Sequence, residues 1–195
     1  LLQTSSDLED LGYEFNRQLR ILDVSTSTDL YVHSGVIGYK DNAIVIPGQT
    51  FSGKTTLVKA FLDVSEKKAL YYSDEYAVIN SAGLVKPYPR AMTVRTDRGR
   101  VREHPNSLGV LTGVKPIRIA LIVSTCYEFG AQWDPKPMTP GQCALSLLGN
   151  APVAREKPLF TLQILAKAVS ATTIGLTGVR GDAYETATVS YTHLR

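Results

Sequence analysis

The sequence predicts an α/β protein with a mixed sheet and flanking helices. Three observations carry this. Along the 195 residues, apolar and β-branched runs of strand length alternate with segments of helical spacing. The first two strand-like runs, 30–39 and 43–47, are separated only by Lys40-Asp41-Asn42, so they enter the sheet as an antiparallel hairpin. The second run passes directly into Gly48-Gln49-Thr50-Phe51-Ser52-Gly53-Lys54-Thr55-Thr56, which is G-x-x-x-x-G-K-[ST] without a mismatch. A segment with Leu57, Ala60 and Phe61 on one helical face follows, which gives the strand–loop–helix context of a P-loop.

The elements read in order as follows. In the first 28 residues, Leu8, Leu11, Phe15 and Leu19 recur near helical spacing, while 19–24 also alternate like a strand; both readings stay open. Residues 25–29 are polar and turn-like. After the P-loop helix, 63–68 form a charged break. Residues 69–72 form a strand expected beside the one ending at Pro47, and Asp74-Glu75 stand at its end. Strand 76–79 and turn 80–83 lead to an edge segment, 84–90, where Pro87 and Pro89 cannot donate to a ladder. Residues 95–114 read as loop, 116–124 as a strong strand and 127–137 as irregular. Thr139 caps a helix with Pro140 at its first position, running to about Leu148. A helix at 159–169, a strand at 172–176 and a weakly patterned helix at 182–191 complete the chain. No internal repeat or low-complexity tract appears. The length suits one P-loop domain, with 1–28 read either as part of it or as an N-terminal appendage.

Composition narrows the function classes. An apolar fraction of 44% and a charged fraction of 20% are those of a globular protein. A net charge of +3 is too small to argue for nucleic acid. The densest basic stretch, 95–102, holds Arg95, Arg98, Arg100 and Arg102 around Asp97, and reads either as a solvated loop or as an anion-contacting one. Cys126 and Cys143 lack C-x-x-C spacing and read as reduced, partly buried thiols of a cytoplasmic protein. There is no run of eighteen apolar residues, hence no expected membrane span, and no secretory signal. The chain begins at Leu1 and not at a methionine, which is compatible with a preceding segment.

The P-loop dictates the chemistry first. Its glycines let backbone N–H groups close around phosphate oxygens, and the helix N-terminus adds a favourable field. Lys54 would reach the β- and γ-phosphates and the Thr55 hydroxyl would ligate Mg²⁺; Gly48, Gln49, Thr50, Phe51, Ser52, Gly53 and Thr56 complete the nucleotide cradle. A reaction needs a further carboxylate, and Asp74 and Glu75 are the candidates. One can hold Mg²⁺, and the other can orient or deprotonate an attacking hydroxyl. His33, on the preceding strand, is either an ordinary half-buried side chain or a group that tunes a carboxylate or shuttles a proton.

The ordered set Val32-His33-Ser34-Gly35-Val36, then 46–56, Tyr72-Ser73-Asp74-Glu75-Tyr76-Ala77 and Val85-Lys86-Pro87-Tyr88-Pro89-Arg90 resembles the catalytic domain of the HPr kinase/phosphorylase superfamily, most of all its shorter HPr-kinase-related branch. A weaker echo returns at 178–183. The resemblance implies the fold of phosphoenolpyruvate carboxykinases and not of Ras-like NTPases. It also implies ATP-dependent phosphorylation of a serine hydroxyl. Carried over by position, Gly48, Gly53, Lys54 and Thr55 match the nucleotide loop, and Asp74 matches the proposed general base. Glu75 stands where the family has a second Asp, and His33 matches the histidine placed near the reacting phosphate. The Glu-Val-Arg-Gly block of the bifunctional enzymes has no match in 90–95, which speaks against phosphorolysis and recognition of the HPr protein. Arg90, Arg180 and Asp182 are candidate phosphate or substrate contacts, against the ordinary roles of surface or ion-paired residues. Tyr71, Tyr72, Tyr76 and Tyr88 read as pocket wall or as core.

The expectation is therefore an ATP- and Mg²⁺-dependent kinase acting on a hydroxyl of a protein, peptide or small molecule. The alternative is an ATP-binding regulator with little turnover. A carboxykinase of central metabolism is excluded by the short chain. The resemblance also makes a homo-oligomer compatible with the sequence, and neither nucleic acid nor a membrane is an expected partner.

Overall fold

In the computed structural model, residues 18, 22–24, 26–49, 52–65, 68–96 and 99–194 are described, 93–96 and 99–102 by their backbone alone. The sheet is organised on one long strand, β1 (Leu30–Tyr39). On one side β1 pairs antiparallel with β2 (Asn42–Pro47), from Ser34↔Pro47 to Tyr39↔Asn42. Both residues of the connecting turn have positive φ, Lys40 at 48° and Asp41 at 61°, the mirror-image turn whose twist matches a hairpin. On its other side β1 is covered by two short antiparallel strands in succession, β3 (Leu70–Ser73) and β4 (Tyr76–Ile79).

Beyond β4 lies the edge strand β5 (Val85–Lys86), with Pro87 and Pro89 outside the ladder. Beyond β2 the sheet continues through β8 (Arg118–Tyr127), parallel to β2, and β10 (Ile174–Arg180), parallel to β8. It ends at β9 (Lys136–Met138), antiparallel to β10. The sheet is thus mixed, as the early hairpin requires.

Strand alternation divides the core between the two faces. On β2, Ala43 and Val45 point to one face, and Ile44 and Ile46 to the other. The first face packs on α2 (Pro140–Leu148) and α3 (Pro158–Ala168) through Cys143, Leu147, Ile164, Leu165 and Ala168. The second packs on α1 (Lys54–Val64) and α4 (Ala183–Thr192) through Leu57, Val58, Phe61, Ala183 and Ala187. The expected buried stripe Leu57, Ala60, Phe61 is therefore found on α1. Thr139 closes a full capping box with Gln142 at the start of α2.

Several boundaries differ from expectation. Within the 95–114 stretch expected to be loop, the end of β6 (Met92–Thr96) and all of β7 (Gly99–Glu103) are strand and form a separate two-stranded ribbon, with Val94 opposite Val101. The dense arginines hid the period-two pattern there. Pro105–Leu108 is a 3₁₀ turn. The strand at 116–124 runs on to Tyr127, β9 lies at the end of the supposedly irregular 127–137 stretch, and the strand at 172–176 is displaced to Ile174–Arg180. Helix α1 extends into the charged break, to Val64. Of the two readings for 19–24, the described residues 22–24 are helical. The candidate helix of Leu8, Leu11, Phe15 and Leu19 lies outside the described residues. Cys143 is buried, but Cys126 is exposed, and both are free. The strand that leads to Asp74, β3, borders β1 and not β2, because β8 occupies the other edge of β2.

Neither residue of the β1–β2 turn is a glycine or asparagine, so each carries left-handed strain. Replacing Lys40-Asp41 with Asn-Gly is expected to stabilise the protein by about 1 kcal/mol. The exposed Lys115–Asp41 ion pair that is lost holds little energy. The denaturation midpoint in urea, compared with the parent, checks this.

Candidate functional site

The site grows from one point on β1. There the Gly48 amide donates to the His33 carbonyl at 3.1 Å, and on the other edge of β1 the Ser34 amide donates to the Glu75 carbonyl at 3.2 Å. The glycine-rich loop and the acid pair are thereby brought to adjacent residues of the same strand.

The loop leaves β2 at Pro47 and ends at Gly53, the N-cap of α1, whose φ is 80°. Gly53 has no side chain to cap the helix, so the first amides of α1 keep their donors available. At Gly48 a Cβ would lie 2.6 Å from Ser52 Oγ. The Gln49 carbonyl accepts from the Ser52 amide at 3.2 Å and from Lys54 Nζ at 2.6 Å. Gln49 Nε2 in turn donates to Asn150 Oδ1 at 3.2 Å, and the Asn150 carbonyl accepts from the His33 amide at 2.8 Å. Thr50 and Phe51 lie outside the described residues, and Thr56 is exposed in the first turn of α1.

Asp74 sits at the break between β3 and β4. Ser73 Oγ shapes that break by accepting from the amides of Glu75 at 3.1 Å and Tyr76 at 3.0 Å. The Asp74 carboxylate accepts from Thr55 at 3.0 Å through Oδ2 and from the Tyr71 hydroxyl at 2.9 Å through Oδ1. The Tyr71 hydroxyl also lies 3.0 Å from the Arg90 carbonyl, and its single proton serves one acceptor at a time. Burial raises the Asp74 pKa, against the opposing effect of the Tyr71 and Thr55 hydrogen bonds and the Lys54 charge. Burial likewise pushes Lys54 down, while the Asp74 and Glu75 charges pull it up.

His33 is half-buried, its ring 4.5 Å from that of Tyr76 and its Nε2 3.4 Å from the Tyr76 hydroxyl. Burial first, and then the Lys54 charge, lower its pKa. The structure thus brings Lys54, Thr55, Asp74, Glu75 and His33 into one electrostatic neighbourhood. Arg180, at the end of β10, reaches the Gly53 carbonyl at 3.0 Å. Asp182 is occupied as the N-cap of α4, accepting from the Glu185 amide at 2.8 Å. The Arg90 guanidinium lies over the Tyr88 ring and donates to its hydroxyl at 3.0 Å. Tyr72 and Tyr76 are core residues, whereas the buried Tyr71 turns its hydroxyl to Asp74.

Tyr71 reads from the sequence only as pocket wall or core, although its place three positions before Asp74 is a signal for this contact, and no local pattern points to Asn150. Among the described residues no three His, Cys, Asp or Glu side chains converge on a metal position. Thr55 Oγ1 and Asp74 Oδ2, 3.0 Å apart, are nonetheless hard oxygen donors at the spacing of two neighbouring ligands of an octahedral Mg²⁺, about 2.9 Å apart. Glu75 stands next to them in the chain. No helix among the described residues is long and apolar enough to cross a membrane.

No family model and no curated protein matches the chain. Among solved structures it is similar to the Hpr(Ser) kinase/phosphatase from Coxiella burnetii, at a TM-score of 0.46 and 11% identity over 84% of this chain and 95% of that one. This is a distant structural likeness, and it bears no weight in the reading of the site.

His33 provides a direct test of the electrostatics. Its folded pKa lies below the ordinary 6.5. As pH falls through 6.5 the unfolded chain takes up the proton first, so His33 costs stability in the window below that value, and stability rises with pH there. In an NMR titration the His33 resonance is expected to move below the ordinary imidazole midpoint. Lys54→Met raises that midpoint without restoring it fully, because burial remains.

Proposed function

We propose that the protein is a phosphotransferase that uses ATP and Mg²⁺ to phosphorylate a hydroxyl of a protein, peptide or small molecule, with serine as the favoured acceptor. The observation that carries the reading is the 3.0 Å contact between Thr55 and Asp74, which ties the first turn of the helix after the glycine-rich loop to a half-buried carboxylate. In this reading residues 48–56 bind the nucleotide phosphates. Thr55, Asp74 and Glu75 would hold Mg²⁺, which when bound neutralises charge between the phosphates. Lys54 leaves the Gln49 carbonyl and faces the transferring phosphoryl group.

Asp74 is the group that takes the proton from the acceptor hydroxyl. Burial makes it more basic than an ordinary carboxylate, and the Tyr71 and Thr55 hydrogen bonds fix its orientation. His33, depressed in pKa and close to Lys54, stays neutral at physiological pH and can accept or donate a hydrogen bond without adding charge.

A second reading, an ATP-binding regulator with little turnover, draws on one observation. Both Asp74 oxygens already accept a hydrogen bond from the protein. Transfer from [γ-³²P]ATP to candidate acceptors separates the two. As a catalytic base, Asp74 replaced by Asn should lower transfer by about 10²- to 10⁴-fold while ATP still binds. Full transfer by Asp74→Asn would sink that role, and tight ATP binding with no transfer by the parent would favour the regulator.

The same variant carries a stability prediction. A carboxyl whose folded pKa is raised is disfavoured as a charge in the native state, so its ionisation costs stability at neutral pH. Asp74→Asn is therefore expected to raise the melting temperature at pH 7, as calorimetry would record, even as transfer is lost.

A further inference from the structure

The buried cation on the far side of the loop is not used by the chemistry above. Arg180 closes β10 with only 2% of its surface exposed. Its Nη2 donates to the Gly53 carbonyl at 3.0 Å, and its guanidinium lies 5.6 Å from the centre of the Tyr127 ring. Its Nε–H is buried and has no acceptor among the described residues. A buried guanidinium with an unsatisfied donor is costly, and the group that relieves it most fully is an anion.

With Ser52, Gly53, Lys54 and Thr125, Arg180 lines a closed recess at the N-terminus of α1, whose cap offers no side chain. A Cβ at Gly53 would collide with the guanidinium, so only glycine lets the loop and Arg180 approach this closely.

Strand order then assigns the anion. Asp74 belongs to the β1 flank of β2, whereas Arg180 reaches the loop from the β8–β10 flank. Resting on the phosphotransferase reading, we infer that Arg180 is a second phosphate-binding cation. It holds the phosphates that remain with the nucleotide, while Lys54 and Asp74 serve the one that is transferred. Arg180 is thus a nucleotide-affinity residue whose loss weakens ADP and ATP alike.

The experiment is calorimetric titration of the full chain with Mg-ADP and Mg-ATP, for the parent, Arg180→Lys and Arg180→Met. It is paired with ¹⁵N NMR of the Arg180 Nε–H in the parent as Mg-ADP is added. The expected result is a loss of affinity of about tenfold or more for both nucleotides in both variants, because a lysine cannot reproduce the guanidinium fork. The parent's Nε–H resonance should also shift on binding ADP. Unchanged ADP affinity with a stationary resonance overturns the inference, as does a loss confined to ATP. If a variant does not fold, the parent's resonance decides alone. A parent that binds neither nucleotide brings down the phosphotransferase reading itself. A parent that binds both without engaging Arg180 brings down only this inference.

Discussion

Two backbone hydrogen bonds on neighbouring residues of β1 hold the candidate site together. The His33 carbonyl anchors Gly48 on one edge, and the Ser34 amide anchors Glu75 on the other. The His33 carbonyl and the Ser34 amide belong to one trans peptide group, whose C=O and N–H point to opposite edges of the strand, so a single peptide unit grips two different segments at the same height. The split of the opposing strand into β3 and β4 follows from this. Asp74 and Glu75 occupy the gap in the ladder, and Ser73 takes over the amides that the gap would leave unpaired. A continuous strand there would have pinned Asp74 into the pleat and kept it from Thr55.

The site concentrates charge where water is scarce. Asp74, Lys54, His33 and Arg180 all have pKa values displaced by burial in the direction of neutrality. Each displacement is a cost to folding, and such costs persist where surrounding structure overdetermines the geometry. The compensation is visible around each group. Tyr71 and Thr55 serve Asp74, Gln49 serves Lys54, and Gly53 and Tyr127 serve Arg180.

Much of this was legible in the sequence, for identifiable reasons. The hairpin, the strand before Gly48 and helix α1 announce themselves through β-branched runs and helical spacing. Thr139-Pro140 names a helix start with a local mechanism. Asp74 could be singled out because it ends an apolar run, yet the neighbour of that run could not, since strand order depends on long-range pairing. The ribbon of β6 and β7 escaped because its arginines and threonines read as loop. Arg180 could be named as a candidate phosphate contact, but its approach to Gly53, like that of Asn150 to Gln49, was beyond reach for a different reason. Their partners lie at the glycine-rich loop, more than a hundred positions away in the chain, and no local pattern encodes that meeting.

The hairpin has a kinetic consequence as well as an architectural one. The pairing of β1 with β2 spans a two-residue turn, and β3 and β4 follow after a single helix, so one half of the sheet is assembled from near neighbours. The joint between β2 and β8 closes across all the chain from α1 to the ribbon and the 3₁₀ turn. Loop-closure entropy falls on that joint, and contact order makes it the slow one. The flank carrying Asp74 belongs to the fast half and the flank carrying Arg180 to the slow half. The carboxylate and the guanidinium that bracket the glycine-rich loop thus reach it at different stages in the history of the chain.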